Sequence, residues 1–330
     1  MTIFLLVLLA LLFPLALLAY GMVVGIKRLA ARYNVLDIPN ERSSHTTPTV
    51  RGGGAAIVLM TLGGACVSAA VNPAYWGAVL PYAAGGLLVA VLSWIDDMRS
   101  LSAKLRFGMH FAVALIAVAG LGYWEQISLP LVGTVTLGIV GLPLTLVWIV
   151  GLTNAYNFMD GIDGIAGGHA VVAGLGWLML AALLPTAVGA SEMSPLVGVI
   201  GLLIAASSLG FLGHNWSPAS IFMGDVGSAF LGYSFAVLPL FAPTGERAPL
   251  AFAAALLMWT FLLDTGITFL YRLWKREDVF AAHRKHFYQR LIRRGVSHRD
   301  VSALYIGLAG LGVLAAVLWL ASHLLPTVLA

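Results

Sequence analysis

The sequence predicts an all-α integral membrane protein that crosses the bilayer about ten times, with both termini outside and its polar chemistry gathered on the cytoplasmic face. Three observations carry this. Of 330 residues, 60% are hydrophobic and 10% charged, where an ordinary soluble domain has about 25% charged; one soluble core cannot hide that much apolar surface. Ten stretches each offer the roughly 20 mostly apolar residues that a membrane-crossing helix needs. Finally, 17 of the 18 basic residues fall in three connections that an alternating chain places on one side: five in 27–51, three in 96–106 and nine in 272–299. Lys and Arg mark the cytoplasmic side. The net charge of +4 therefore needs no nucleic acid to explain it, and the partner it implies is membrane lipid.

The ten spans are expected at about 3–26, 52–71, 77–95, 106–124, 138–155, 165–186, 195–213, 225–242, 249–272 and 303–325. No positive charge precedes the first, and Lys27 and Arg28 follow it. A cleaved signal peptide has the reverse order, so this span is expected to stay as an anchor with its N-terminus outside. An even number of spans returns the C-terminus to the same side. Cytoplasmic loops of one polytopic domain are expected at about 27–51, 96–105, 156–164, 214–224 and 273–302. The single cysteine, Cys66, lies in an apolar run, which excludes an intrachain disulfide and a thiolate metal site. Asp264 lies within the ninth span, the sole deep carboxylate.

The chemistry-bearing residues cluster at the cytoplasmic ends. Asp96 and Asp97 close the third span. Adjacent carboxylates repel unless a cation joins them, and hard oxygens suit Mg²⁺ carrying a phosphate substrate; alone, the pair equally marks a helix end. In NAYNFMDGIDGIAGG, residues 154–168, Asn154, Asn157, Asp160 and Asp163 recur every three residues and stack on one helical face. The glycines among them, Gly161 and Gly164 included, let backbone approach a ligand. A polar interhelical turn with packing glycines is the plainer alternative. In GHNWSPASIFMGDVGSAF, residues 213–230, Asn215 and Asp225 bracket a loop that carries Phe222 as a flat apolar face, and Gly224-Asp225 also fits a helix start. In AHRKHFYQRLIRRG, residues 282–295, His283 and His286 stand among Arg284 and Lys285; dense positive charge suits phosphate or anionic headgroups, or is a positive-inside loop. LDIPNERSSHTTPTVRGGG, residues 36–54, reads as a Pro- and Gly-shaped loop from which Arg42, His45 and Arg51 can reach a phosphate. Together these segments fit phosphoryl transfer to or from a lipid phosphate, with cations offsetting charge and carboxylates holding metal or activating a nucleophile.

With those residues in hand, the chain resembles the polyprenyl-phosphate N-acetylhexosamine-1-phosphate transferases, glycosyltransferase family 4, which include phospho-MurNAc-pentapeptide translocase. The likeness runs from LDIPNERSSH through IDDMRSLSAKLR, NFMDGIDGIAGG and FMGDVGS to HRKHFYQRL. It implies ten helices in the bacterial cytoplasmic (inner) membrane. The implied reaction takes a UDP-N-acetylhexosamine and undecaprenyl phosphate to undecaprenyl-diphospho-sugar and UMP, with Mg²⁺, for which Mn²⁺ can substitute. By motif, Asp96 and Asp97 match the paired catalytic aspartates, and Asp225 matches the Mg²⁺ aspartate, with Asp96 beside the metal. Asp97 then deprotonates or orients the lipid phosphate, or attacks covalently. Asn157, Asp160, Gly161, Ile162, Asp163, Asn215, Phe222 and Gly224 match the nucleotide-sugar site, with Phe222 the stacking face for uracil. Arg42, His45, Lys104, His283, Arg284, Lys285 and His286 are the implied phosphate and lipid contacts. Several branches carry an HxHH motif in the last cytoplasmic loop; here His286 takes its first position, and Tyr288 and Gln289 replace the later histidines. The loop looks most like the O-antigen-initiating branch, which implies lipopolysaccharide synthesis with a donor such as UDP-FucNAc, UDP-QuiNAc or UDP-GlcNAc. Related enzymes imply a homodimer.

Two other classes fit less well. A transporter should place its key acids near the midplane, often with a repeat between its halves; here the acids gather at one surface. A CDP-alcohol phosphotransferase would have an arginine after its DG pair, which DGIDGIAGG lacks.

Overall fold

In the computed structural model the described residues are 2–38, 48–99, 101–183, 194–278, 281 and 283–328. All ten expected stretches are built on helix. In order these are α1 (Thr2–Arg32), α2 (Ala55–Val71), α3 (Trp76–Arg99), α4 (Ala103–Leu121), α5 (Gly141–Met159), α6 (Ile165–Leu183), α7 (Ser194–Asn215), α8 (Asp225–Val237), α9 (Ala248–Leu257) and α10 (Trp259–Trp274), then a short α11 (Phe287–Arg293) and α12 (His298–Val328). Leu36–Asp37 pairs antiparallel with Thr49–Val50 as β1 and β2, and a hairpin of β3 (Gln126–Leu129) and β4 (Gly133–Thr136) joins α4 to α5. The protein is an all-α membrane protein: seven of the described helices are long and apolar enough to cross a bilayer, or up to eight with a bent pair counted as one.

Two expectations change. The stretch 249–272, expected as one span, is broken at Met258 into α9 and α10, which meet at 78°. The stretches 52–71 and 225–242 carry shorter apolar helices, Ala55–Val71 and Asp225–Phe241. Both of these begin at the same place, where a Cβ on Gly54 would stand 2.4 Å from Gly227 Cα. Only two glycines allow the backbones so close.

The bundle is organised around α8. Every residue from Val226 to Val237 is buried, as expected of a helix that is apolar all round, and α2, α3 and α5 pack against it. Its few polar atoms are matched: Ser234 Oγ meets Tyr82 Oη at 3.0 Å, and Trp148 Nε1 donates to Ala236 O at 3.0 Å. Burial of both partners keeps α8 fixed along its axis, and with it the residue at its first turn, Asp225.

At one end of the bundle, Arg247 donates to Leu121 O and Ala242 O at 2.6 Å and to Tyr123 O at 3.3 Å. It satisfies carbonyls left open where α4 stops. At the other end, the connections after α3, α5, α7 and α10 converge around Asp225.

Candidate functional site

The site is assembled at the N-terminus of α8. The segment Val50–Gly54 lies alongside Phe222–Met223: Phe222 N donates to Val50 O at 2.8 Å, while Gly52 N and Gly53 N donate to Phe222 O at 3.1 and 2.9 Å. This pairing delivers Arg51. From the last turn of α3 come Asp96 and Asp97, and from the first turns of α4 comes Arg106.

Asp97 is 6% exposed in its side chain and caps α8, accepting from Asp225 N at 3.1 Å and Val226 N at 3.4 Å. The first N–H groups of a helix have no partner of their own and favour an anion. Arg51 Nε lies 3.2 Å from Asp97 Oδ1, and its Nη2 is 4.0 Å from Asp225 Oδ1. Across the site Arg106 Nη1 lies 3.2 Å from Asp96 Oδ2 and 4.0 Å from Asp225 Oδ2. Leu101 N donates to Asp96 Oδ1 at 2.6 Å, fixing the turn between α3 and α4. These six residues line a cavity of about 240 Å³. Asp225, 26% exposed, is the most open of its three carboxylates. Gly224 is required here: its φ is +76°, and a Cβ would stand 2.7 Å from Asp97 Oδ2.

The elbow 157–164 flanks this cavity. Asn157 Nδ2 donates to Ser228 Oγ at 2.9 Å, tying α5 to α8. Asp160 ends α5 and is half-buried. Burial and the nearby Asp225, Asp97 and Asp163 carboxylates push its pKa up to about 7, against the pull of Arg51. Asp163 Oδ2 accepts from Ala219 N at 3.1 Å and lies 3.5 Å from His298 Nδ1. Burial alone would raise its carboxyl, but these donors and Ser217 hold it below the usual range. Ile162 is buried at 6%. Phe222 is half-buried, on a backbone pinned at both its N–H and its carbonyl.

Several expected contacts change. Asn215 is 4% exposed, and both ends of its amide are committed: Oδ1 accepts from Gly164 N at 2.9 Å, and Nδ2 donates to Ile221 O at 3.0 Å. It braces the elbow against the 216–224 loop instead of facing a nucleotide. Asn215→Ala is expected to leave a buried N–H and a buried carbonyl unpaired and to cost about 2 kcal/mol or more, read as a fall in the melting temperature of the purified protein. Lys104 is exposed; Arg106, two residues on, lines the cavity instead. His286, expected as a phosphate contact, is 4% exposed, and its Nδ1 sits 3.1 Å from Asp264 Oδ1, so only Nε2 is left for a ligand. Burial and the cations of Arg272 and Lys285 pull His283 down to about 4, so it is a neutral imidazole at neutral pH. Lys285 Nζ is ion-paired to Glu277, and Arg284 is half-buried in the same loop. Arg42 and His45 lie outside the described residues.

Tyr288 and Gln289, which stand where histidines were expected, have structural roles. Tyr288 is 1% exposed and donates to Phe158 O at 3.1 Å. A Cβ on Gly161 would fall 2.0 Å from its hydroxyl, so this glycine lets α11 close on the elbow. Gln289 Oε1 accepts from His286 N at 3.3 Å, and its Nε2 donates to Tyr288 Oη at 3.2 Å. Sequence reasoning named Tyr288 and Gln289 but not these roles, placed Arg51 near a phosphate without its carboxylate partners, and passed over Arg106. The signal for Arg106 was its place ten residues after Asp96, in a DD pair that needs counter-charge; Arg51, 45 residues before that pair, carried no such signal.

Mg²⁺ can be tested against this donor set. Among the described residues no three His, Cys, Asp or Glu side chains converge tightly enough to hold an ion by themselves. Mg²⁺ does not require that, since it takes one or two carboxylates and completes its shell with waters and substrate phosphates. Four carboxylates, those of Asp96, Asp97, Asp160 and Asp225, share two guanidiniums, Arg51 and Arg106. The residues fit the ion, and Asp225 and Asp96 are the side chains that would hold it.

Residues 79–242 match the family model described as glycosyl transferase family 4. The chain is 34% identical over 287 residues to a Bacillus subtilis protein named "Probable undecaprenyl-phosphate N-acetylglucosaminyl 1-phosphate transferase", covering 86% of this chain and 77% of that one. It is 30% identical over 327 residues to decaprenyl-phosphate N-acetylglucosaminephosphotransferase of Mycobacterium tuberculosis, covering 92% and 80%. Over 214 residues it is 31% identical to phospho-N-acetylmuramoyl-pentapeptide-transferase of Synechococcus elongatus, covering 59% and 54%.

Proposed function

Because the chain belongs to glycosyl transferase family 4, and is thus a phospho-sugar transferase, we propose that it moves N-acetylglucosamine 1-phosphate from a UDP-sugar to undecaprenyl phosphate, releasing UMP on the cytoplasmic side of the bacterial inner membrane. The observation that carries this reading is the cavity at the start of α8, where Asp96, Asp97 and Asp225 face Arg51 and Arg106. The names of the relatives favour N-acetylglucosamine over the 6-deoxy sugars, and a polyprenyl acceptor over a soluble one. O-antigen assembly is one fate of such a product.

In this reading Arg51 and Arg106 offset the charge of the two phosphates brought together. Asp97, fixed by the α8 N–H groups, orients the acceptor phosphate and accepts its proton at a carboxylate oxygen. An acceptor oxygen bonds to the phosphorus that carries the sugar, and the bond from that phosphorus to the oxygen bridging to the UMP phosphorus breaks. UMP leaves with that oxygen. Asp225 and Asp96 would hold Mg²⁺, which would supply charge stabilisation to the phosphate oxygens. Asp160, Asp163 and the backbone at Gly161 and Ile162 hold the nucleoside, and Phe222 stacks on the uracil. A transporter has no comparable support, since the carboxylates meet at one end of the bundle.

Phe222→Ala is expected to raise KM for the UDP-sugar about tenfold or more, the order of one base stack, while KM for the lipid changes little. Equal loss for both substrates would count against stacking. The donor is tested by offering purified protein a panel of UDP-N-acetylhexosamines with undecaprenyl phosphate and Mg²⁺. UMP release is expected to be fastest with UDP-GlcNAc; preference for a 6-deoxy sugar would overturn the choice of donor.

A further inference from the structure

Asp264 has no part in the reading above, yet it is the most heavily bonded carboxylate among the described residues. It is 2% exposed in α10. Its Oδ1 accepts from His286 Nδ1 at 3.1 Å, Phe287 N at 2.9 Å and Thr268 Oγ1 at 3.4 Å. Its Oδ2 accepts from Tyr288 N at 3.2 Å and Tyr305 Oη at 2.6 Å. An ionisable residue inside a membrane protein is costly and marks a functional position by default.

The identity of these donors is informative. Three of the five belong to one segment, the His286 ring and the first two N–H groups of α11. Thr268 and Tyr305 supply bonds from α10 and α12, so three helices agree on where that segment sits. From there Tyr288 reaches Phe158 O, against Gly161, and the nucleotide elbow follows directly. A carboxylate at Nδ1 requires a proton on that nitrogen, which sets the orientation of the ring and leaves Nε2 as its one site for a ligand, a donor to a phosphate oxygen when it too carries a hydrogen.

We propose that Asp264 is a positioning residue: it holds His286 by Nδ1–H so that Nε2–H can donate to a phosphate oxygen of the diphosphate substrate, and it seats α11 against the Asp160–Asp163 elbow. This role rests on the transfer reaction proposed above. It assigns the histidine left in the position of a longer histidine motif a fixed orientation, with Tyr288 and Gln289 as its frame.

The test compares full-length Asp264→Asn, His286→Gln and the double variant. An asparagine offers one oxygen where five donors meet two, so the His286 contact or the Tyr288–Tyr305 contact is lost. Each single variant is expected to lose about 10- to 100-fold in kcat/KM, and the double variant to lose no more than the worse single one, because the two act as a unit. Losses that multiply in the double variant would overturn the proposal. If Asp264→Asn does not fold, ¹⁵N NMR of histidine-labelled wild-type protein decides, with the His286 signal assigned from His286→Gln. A protonated Nδ1 is expected; a bare Nδ1 would overturn the proposal. A wild-type protein releasing no UMP from any donor would overturn the transfer reading and this role together, whereas an active wild type with multiplying losses overturns this role alone.

Discussion

Asp97→Asn is expected to lower turnover by about 10³-fold while the protein still folds and inserts. The carboxylate does two things that asparagine divides. Asp225 N and Val226 N donate to different oxygens of the carboxylate, so an asparagine oxygen keeps one of the two cap bonds and the loss is of the order of one hydrogen bond, about 1 kcal/mol. As a base for the acceptor phosphate, and as the counter-charge of Arg51 at 3.2 Å, an amide does not serve at all. The variant should therefore elute as wild type and melt a few degrees lower at most, yet release UMP at a small fraction of its rate. Turnover within about tenfold of wild type would remove Asp97 from the chemistry and leave it a cap.

Gly224→Ala is the second large effect, and it comes from backbone. An L-residue at φ +76° costs about 1–2 kcal/mol by itself. Its Cβ would also stand 2.7 Å from Asp97 Oδ2 and 3.3 Å from Arg51 Cγ, so the carboxylate, the arginine or the start of α8 has to move. Displacement of a reacting group by about 1 Å costs about 10²-fold, and a loss of that order in kcat is expected with UDP-sugar affinity less affected. Gly21→Ala is the control: nothing lies within 4 Å of its Cβ, and alanine in a helix is neutral or favourable. Equal activity in both variants would show that the α8 start tolerates a side chain and is not set by Asp97.

The spans were legible because a run of about 20 apolar residues has few alternatives. The break at Met258 was not, since LLMWTFLL contains neither proline nor glycine to announce it. What distinguishes the two halves is tertiary: α10 turns Asp264, Thr268 and Arg272 inward at helical spacing and Leu263, Ile267 and Leu270 outward. That stripe is visible only once α11 and α12 supply its partners.

The site shows the same division. Asp96, Asp97, Asp160 and Asp225 could be named from sequence because carboxylates at the end of apolar runs need a reason to be there. Asn215 was read as a ligand contact, but an amide that can donate and accept suits buried backbone equally well, and sequence does not say which it meets. His286 was read by charge, and its Nδ1 lies against Asp264, 22 residues away. Arg106 was hidden among residues that the positive-inside rule already explained, and Arg51 was read toward a phosphate with no sign that Asp97 is its partner.

The most direct test of the central claim is which nucleotide leaves. Purified protein with UDP-GlcNAc, undecaprenyl phosphate and Mg²⁺ is expected to release UMP and yield a lipid carrying a diphosphate-linked sugar, with both products lost on chelation. Release of UDP with a monophosphate-linked sugar would mean attack at the sugar carbon, and would contradict an arrangement built around two phosphates at the start of α8.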